Sequence, residues 1–260
     1  MTGVTKHPSE LLESWAERRP LSPVLQNLVT FLHEVGAIAF GTFTLKSGIT
    51  SPIFVNLFAA IRSGGGLARV GKHLARVVVE TVERFELEPS KLFLFGPAYK
   101  GVPLAAATAL QLSVEMGWSV RWGYDRKEAK LTGERTGQVT GDVDLVKGMV
   151  DGELRDGDSV LVIDDVLTRG DAKLEAIGKV EALARVLGLG VEVVGVVTLV
   201  DRVEGALNLR SKVPVFSALT LPVVAHHLYH SGSLSRDDYE RYASYFAPKA
   251  IPLPPRTLKD

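Results

Sequence analysis

A chain of 260 residues with 46% hydrophobic side chains carries enough apolar material for one large core or two small ones. Its 30 basic and 30 acidic groups cancel, which excludes a global field drawing it to nucleic acid or an anionic membrane, so any bound anion must be gripped locally. The absence of cysteine excludes disulfides, zinc–thiolate centres and thiol nucleophiles.

Met1 to Pro20 is polar and charged, with no apolar stretch of signal-peptide length, and no later segment approaches the ~20 apolar residues of a membrane span. A cytoplasmic protein is the expectation. Ser22 and Pro23 open a helix whose apolar residues, among them Leu25, Leu28 and Leu32, recur at helical spacing until Gly36. Thr42–Leu45 and Pro52–Val55 read as two short strands of a hairpin with Lys46 near its polar tip. A second amphipathic helix follows over Leu67–Phe85.

From there strands and helices alternate. Strands are expected at Leu92–Phe95, Val120–Tyr124, Val160–Ile163 and Val191–Val200, and helices at Val102–Leu112 and Ala172–Leu187. β-branched runs joined by helices indicate an α/β fold with a central, mostly parallel sheet flanked by helices on both faces. There is no internal repeat and no interdomain linker, so residues 1–247 are expected to form one domain, with 248–260, which holds four prolines, as an extended tail. Between Asp125 and Asp158 periodicity fails, and a loop that long is expected to be functional or disordered.

The strongest local signal is Val160 to Ala172, where a buried strand ends in Asp164 and Asp165 and a turn, Thr168-Arg169-Gly170-Asp171-Ala172, opens a helix. Ligands of open α/β sheets bind at the carboxyl ends of strands, and a helix amino terminus offers free N–H groups to a phosphate. The paired aspartates could accept bonds from two adjacent ribose hydroxyls; the alternative is that they only cap the next helix. Gly96-Pro-Ala-Tyr99-Lys100-Gly101 is a second strand-end loop, with a lysine suited to an oxyanion. Arg126, Lys127 and Lys130 open the long irregular segment, where a closing loop could meet a polyphosphate, although such charge runs are also common on plain surface. Gly66 to His73 imitates a phosphate-binding loop but lies inside a helix and lacks the hydroxyl residue. His226 and His230 have metal-ligand spacing with no third ligand evident, and read as surface histidines.

Taken in order, Phe43-Thr-Leu-Lys46-Ser-Gly48, Ser51 to Asn56, Gly96 to Gly101, Arg126 to Lys130, Asp164-Asp165 and Asp201-Arg202-Val-Glu204 make the chain resemble the orotate phosphoribosyltransferases of the type I phosphoribosyltransferase family. The diaspartate turn is common to the superfamily; the Thr-Leu-Lys-Ser-Gly and Asp-Arg-x-Glu segments are particular to the orotate branch. The resemblance implies a hood built largely from the N-terminal region beside the sheet, and transfer of a phosphoribosyl group from phosphoribosyl pyrophosphate to orotate. Asp164 and Asp165 would hold the ribose hydroxyls, and Thr168, Arg169, Gly170, Asp171 and Ala172 would cradle the 5′-phosphate. Tyr99, whose preceding peptide is often cis in the family, and Lys100 would line the pyrophosphate site. Lys46 and Arg202 would meet substrate and base, with Phe54 near the orotate ring. Arg126, Lys127 and Lys130 would reach the pyrophosphate, partly from the other subunit of a homodimer sharing residues 125–135, and Lys130 would be the most rate-sensitive. Mg²⁺ would be carried mainly by the substrate, with Asp164 and Asp165 nearby and no direct protein ligand.

The chain departs from the family where Leu131 and Thr132 follow Lys130 in place of a histidine, at Val55, in the length of the segment from Arg135 to Asp158, and in the turn. There a carboxylate at Asp171 must turn away from phosphate or be neutralised by Arg169 or Lys173. Two other readings share the diaspartate turn: transfer to another nucleobase, and a non-catalytic sensor of phosphoribosyl pyrophosphate. Lys46 and Arg202 favour an anionic, carbonyl-rich base, and Lys127 with Lys130 favours turnover.

Overall fold

The computed structural model describes residues 7–44, 50–126 and 150–251. Its N-terminal portion comprises helices α1 (Pro8–Arg18) and α2 (Pro23–Glu34), strands β1 (Ile38–Thr44) and β2 (Thr50–Val55), and helices α3 (Phe58–Ile61) and α4 (Gly64–Phe85). There follow β3 (Leu92–Gly96), α5 (Gly101–Met116), β4 (Arg121–Asp125), β5 (Val150–Asp151), β6 (Ser159–Leu167), α6 (Asp171–Leu187) and β7 (Glu192–Asp201). The chain closes with α7 (Leu207–Lys212), β8 (Val215–Thr220), α8 (Leu221–His230) and α9 (Arg236–Phe246).

Six strands form the main sheet in the order β5-β4-β3-β6-β7-β8. All neighbours are parallel except the short edge strand β5, which runs antiparallel to β4. Successive side chains of a strand point to opposite faces. On β6, Leu161 and Ile163 join the core that contains Val70, Leu74 and Leu104 of α4 and α5, whereas Val160 and Val162 pack with Ala176, Ile177 and Val180 of α6. Both faces are therefore covered, as the β-branched runs require. The imitation phosphate loop is α4 itself. A Cβ added at Gly66 would lie 2.1 Å from the Ala60 carbonyl oxygen, and one at Gly71 would lie 2.9 Å from Ala107 Cβ, so these glycines serve close packing.

The structure amends three expectations. Strand β6 does not end at Ile163 but pairs with β7 as far as Leu167, so the two aspartates belong to the strand. The hood is made from both ends of the chain: α1 packs on α8 and α9, and α9 packs on β2 of the antiparallel β1–β2 hairpin. The elements α1, β8, α8 and α9 were not expected from periodicity. Helix α1 buries only Leu12 and Trp15 fully, too few apolar positions among charges to stand out, and α8 is buried over most of its circumference and so carries little amphipathic signal. At the carboxyl end, the Ile251 amide donates to the Val203 carbonyl at 3.1 Å.

Candidate active site

Three connections gather at the carboxyl edge of the parallel strands: residues 97–100 after β3, 168–170 after β6 and 202–206 after β7. The first is a tight turn. Added Cβ atoms at Gly96 and Gly101 would lie 2.3 Å from the Gly101 carbonyl oxygen and 2.6 Å from Pro97 Cδ, and the Ala98–Tyr99 peptide is cis. Tyr99 projects outward at 76% exposure, and Lys100 Nζ donates to Asp165 Oδ2 at 2.8 Å. In the second turn, Gly170 sits at φ +87° against Leu209, a conformation that favours glycine, and its carbonyl accepts the Lys173 and Leu174 amides at 3.0 Å. Thr168, Arg169, Asp171 and Ala172 are exposed around it.

Asp164 and Asp165 are both buried, and as neighbours in a strand they face opposite sides of the sheet. Each meets its own cation. Asp164 Oδ2 pairs with Lys173 Nζ of α6 at 2.5 Å, and the same ammonium donates to the Val166 carbonyl at 2.7 Å. Asp165 takes Lys100 from the start of α5. The remaining oxygens accept main-chain amides, Asp165 N on Asp164 Oδ1 at 2.8 Å and Val166 N on Asp165 Oδ1 at 2.7 Å. Burial pushes the Asp164 carboxyl above the ordinary range, with Lys173 opposing it and the Asp165 charge adding to it. Neither carboxylate caps α6: the amides they accept belong to their own strand. The two form a desolvated acceptor pair with compensating cations, able to take further hydroxyl donors.

Asp171 is neutralised by Arg169, whose Nε stands 3.2 Å from its carboxylate, while Lys173 is committed to Asp164. At the end of β7, Asp201 accepts the Val203 amide at 2.8 Å and pairs with Arg210 at 2.6 Å. These bonds shape a turn in which Val203 and Ala206 adopt positive φ. Arg202 bonds through Nη2 to Glu204 at 3.2 Å and to the Tyr245 hydroxyl at 3.3 Å, and its amide donates to Leu167 O at 3.2 Å. Burial raises the Glu204 carboxyl, an effect that Arg202 opposes.

Of the residues singled out in the sequence, Asp164, Asp165 and Lys100 are in contact, and the turn 168–172 and Arg202 adjoin them through β6 and β7. Phe54 lies in the hairpin with its ring 5.7 Å from that of Phe43. Arg126 pairs with Asp151 of β5. Lys46, Lys127 and Lys130 lie outside the described residues. His226 is half-buried and His230 exposed, with ring centroids 4.2 Å apart. Among the described residues no group of three or more His, Cys, Asp or Glu could hold a metal, and no helix is long and apolar enough to cross a membrane. Four residues with bonds to this region were not expected there: Asp125, Lys173, Lys179 and Tyr245. Only Lys173 gives a signal, as a cation one turn into the helix after a strand-end carboxylate pair; of the two cations offered for Asp171, Arg169 takes it and Lys173 goes to Asp164.

Residues 60–226 match the model of the phosphoribosyl transferase domain family. The chain is 42% identical over 175 residues to an orotate phosphoribosyltransferase of Bifidobacterium adolescentis, covering 67% of this chain and 68% of that protein. It is 36% identical over 220 residues to one of Pseudomonas fluorescens, covering 81% and 91%. In fold it is similar to the crystal structure of an orotate phosphoribosyltransferase of Francisella tularensis, with a TM-score of 0.64, 24% identity, and coverage of 86% of this chain and 100% of that one.

Proposed function

The chain belongs to the phosphoribosyl transferase domain family and, within it, to the orotate phosphoribosyltransferases, and from that premise we infer how its own residues carry the reaction. The enzyme is a pentosyltransferase that moves the 5-phosphoribosyl group from phosphoribosyl pyrophosphate to orotate, giving orotidine 5′-monophosphate and pyrophosphate. The bond from ribose C1 to the diphosphate oxygen breaks, a bond from C1 to an orotate ring nitrogen forms, and the proton that nitrogen carried is given up to the departing pyrophosphate or to water. Positive charge grows on the ribose and negative charge on the leaving group, so no protein nucleophile is required.

The observation that carries the residue assignment is the buried Asp164–Asp165 pair, each carboxylate held by a separate lysine, at the root of a glycine turn that opens α6. We assign the ribose hydroxyls to these carboxylates and the 5′-phosphate to the N–H groups of residues 168–172. Lys100 is half-exposed, so a hydroxyl that takes over an Asp165 lone pair frees its ammonium to turn toward the diphosphate. Tyr99 lies on the same loop. Arg126, Lys127 and Lys130 are assigned to the leaving group as well, with Lys130 the most rate-sensitive, and we place them partly across a homodimer. Arg202, oriented by Glu204 and Tyr245, is assigned to the carbonyl-rich base, together with Lys46 and Phe54.

The donor set also fits Mg²⁺ of a particular kind. The described side chains offer no cage of three ligands, which suits a hard cation that keeps its waters and is carried mainly by the substrate, with the Asp164 and Asp165 carboxylates near enough to accept from those waters. When bound, the ion would neutralise charge developing on the diphosphate. A cytoplasmic setting suits a substrate such as phosphoribosyl pyrophosphate, whose phosphates bar it from crossing a bilayer.

The test is direct. Purified protein with Mg²⁺ and phosphoribosyl pyrophosphate should consume orotate and release pyrophosphate; reaction with adenine, hypoxanthine, guanine or uracil in place of orotate would overturn the base assignment.

A further inference from the structure

Asp125, the last residue of β4, is 3% exposed. A carboxylate buried that deeply is costly unless both oxygens are satisfied, and both are. Oδ1 accepts the Ala98 amide at 2.5 Å and Oδ2 accepts Lys179 Nζ at 2.7 Å. Two segments distant in sequence thus converge on one side chain, next to the start of a third. Ala98 belongs to the loop whose next residues are Tyr99 and Lys100. Lys179 lies on α6, the helix that begins at the phosphate turn. Arg126, covalently next to Asp125, opens the cation-rich segment, and its carbonyl stands 3.5 Å from Lys179 Nζ.

The Lys179 ammonium is mostly buried and also reaches Glu175 at 2.8 Å. Burial pulls its affinity for the proton down, but the bonds to Asp125 and Glu175 more than offset this and leave it above its ordinary value. Its charge is therefore spent on the Asp125 anchor and is not presented to a ligand. A charge-assisted bond from carboxylate to a loop amide is about twice as strong as a neutral one, so this is a firm tether for a short exposed loop.

We propose that Asp125, held by Lys179, is a positioning residue for the diphosphate half of the site: it fixes the loop that carries Lys100, together with the chain at Arg126, against α6. The inference rests on the phosphoribosyl-transfer reading above. It separates the diphosphate end of the site from the base end, because Arg202 is held by Glu204 and Tyr245, which belong to neither the loop nor α6.

The test uses the full-length protein and the variants Asp125→Asn, Lys179→Met and Lys179→Arg. In both Asp125→Asn and Lys179→Met, the KM for phosphoribosyl pyrophosphate and the inhibition constant of inorganic pyrophosphate should rise on the order of 10- to 100-fold, the loss typical of an ångström of misplacement, while the KM for orotate stays within about 2-fold. Lys179→Arg should restore most of that loss. Hydrogen exchange over residues 97–101 should quicken in Asp125→Asn. Equal losses for both substrates that follow a fall in Tm would overturn the proposal, as would unchanged pyrophosphate inhibition in an active enzyme. If the wild-type protein fails to turn over orotate, the reading of the previous subsection falls, and the exchange measurement still decides whether Asp125 tethers the loop: unchanged exchange sinks the tether.

Discussion

Two ion pairs at the start of α6 are made of similar charges in opposite surroundings. Arg169 and Asp171 face each other across the turn with side chains 88% and 73% exposed, whereas Lys173 and Asp164, one turn deeper, are 7% and 10% exposed. On the rim, water screens both charges and each side chain can leave without penalty. On the floor, neither charge can lose its partner without becoming an uncompensated ion in a poor solvent. The rim pair can therefore yield to an arriving phosphate, while the floor pair sets the shape that the ligand meets.

The largest effect should come from Lys173→Met. Leaving Asp164 buried and unpaired should cost about 3–5 kcal/mol where the carboxylate stays charged. Without the lysine, burial alone acts on a carboxyl already pushed above its ordinary range, so the folded state binds the proton more tightly than the unfolded chain does. The variant should thus hold its stability at pH values below the ordinary aspartate range and lose it as pH rises through the raised value, a trend that denaturant midpoints measured between acid and neutral pH would reveal. A flat profile would mean that water or another donor replaces the ammonium.

Lys100→Ala removes a half-exposed cation from a buried carboxylate that keeps the Val166 amide and that water can reach through the vacated side, so stability should fall, but by less than in Lys173→Met. Turnover should fall on the order of 100-fold if the ammonium moves to the leaving group, with the larger share of the loss in kcat. A loss confined to KM would keep Lys100 as a partner of Asp165 only. At the small end, Arg169→Ala should change stability by less than about 1 kcal/mol, fading as salt is added. If it instead cost as much as Lys173→Met, the contrast between rim and floor would be broken.

The alternation of β-branched runs with helices was enough to expect a parallel sheet covered on both faces, because burial on two sides leaves that pattern in each strand. Asp164, Asp165 and Lys100 were legible because strand-end carboxylates and glycine-bounded turns are local in sequence. Lys179 was not: it meets Asp125 across 54 positions, and no spacing rule links a cation inside a helix to the end of a strand laid down earlier. Tyr245 was hidden for the same reason, since it reaches Arg202 from a helix near the end of the chain. Asp125 gives no signal of its own beside the charges that follow it, and only the fold shows that it points inward while Arg126 turns to the edge strand.

The hood joins α1 to α8 and α9, and α9 delivers the hydroxyl that steadies Arg202. During synthesis the first of these helices must wait for the last, with the entire sheet emerging in between, and such long-range docking is slow compared with local folding. A folding intermediate in which α9 has not docked would already have the floor of the site but would hold Arg202 through Glu204 alone, so the base contact is completed only when that helix arrives.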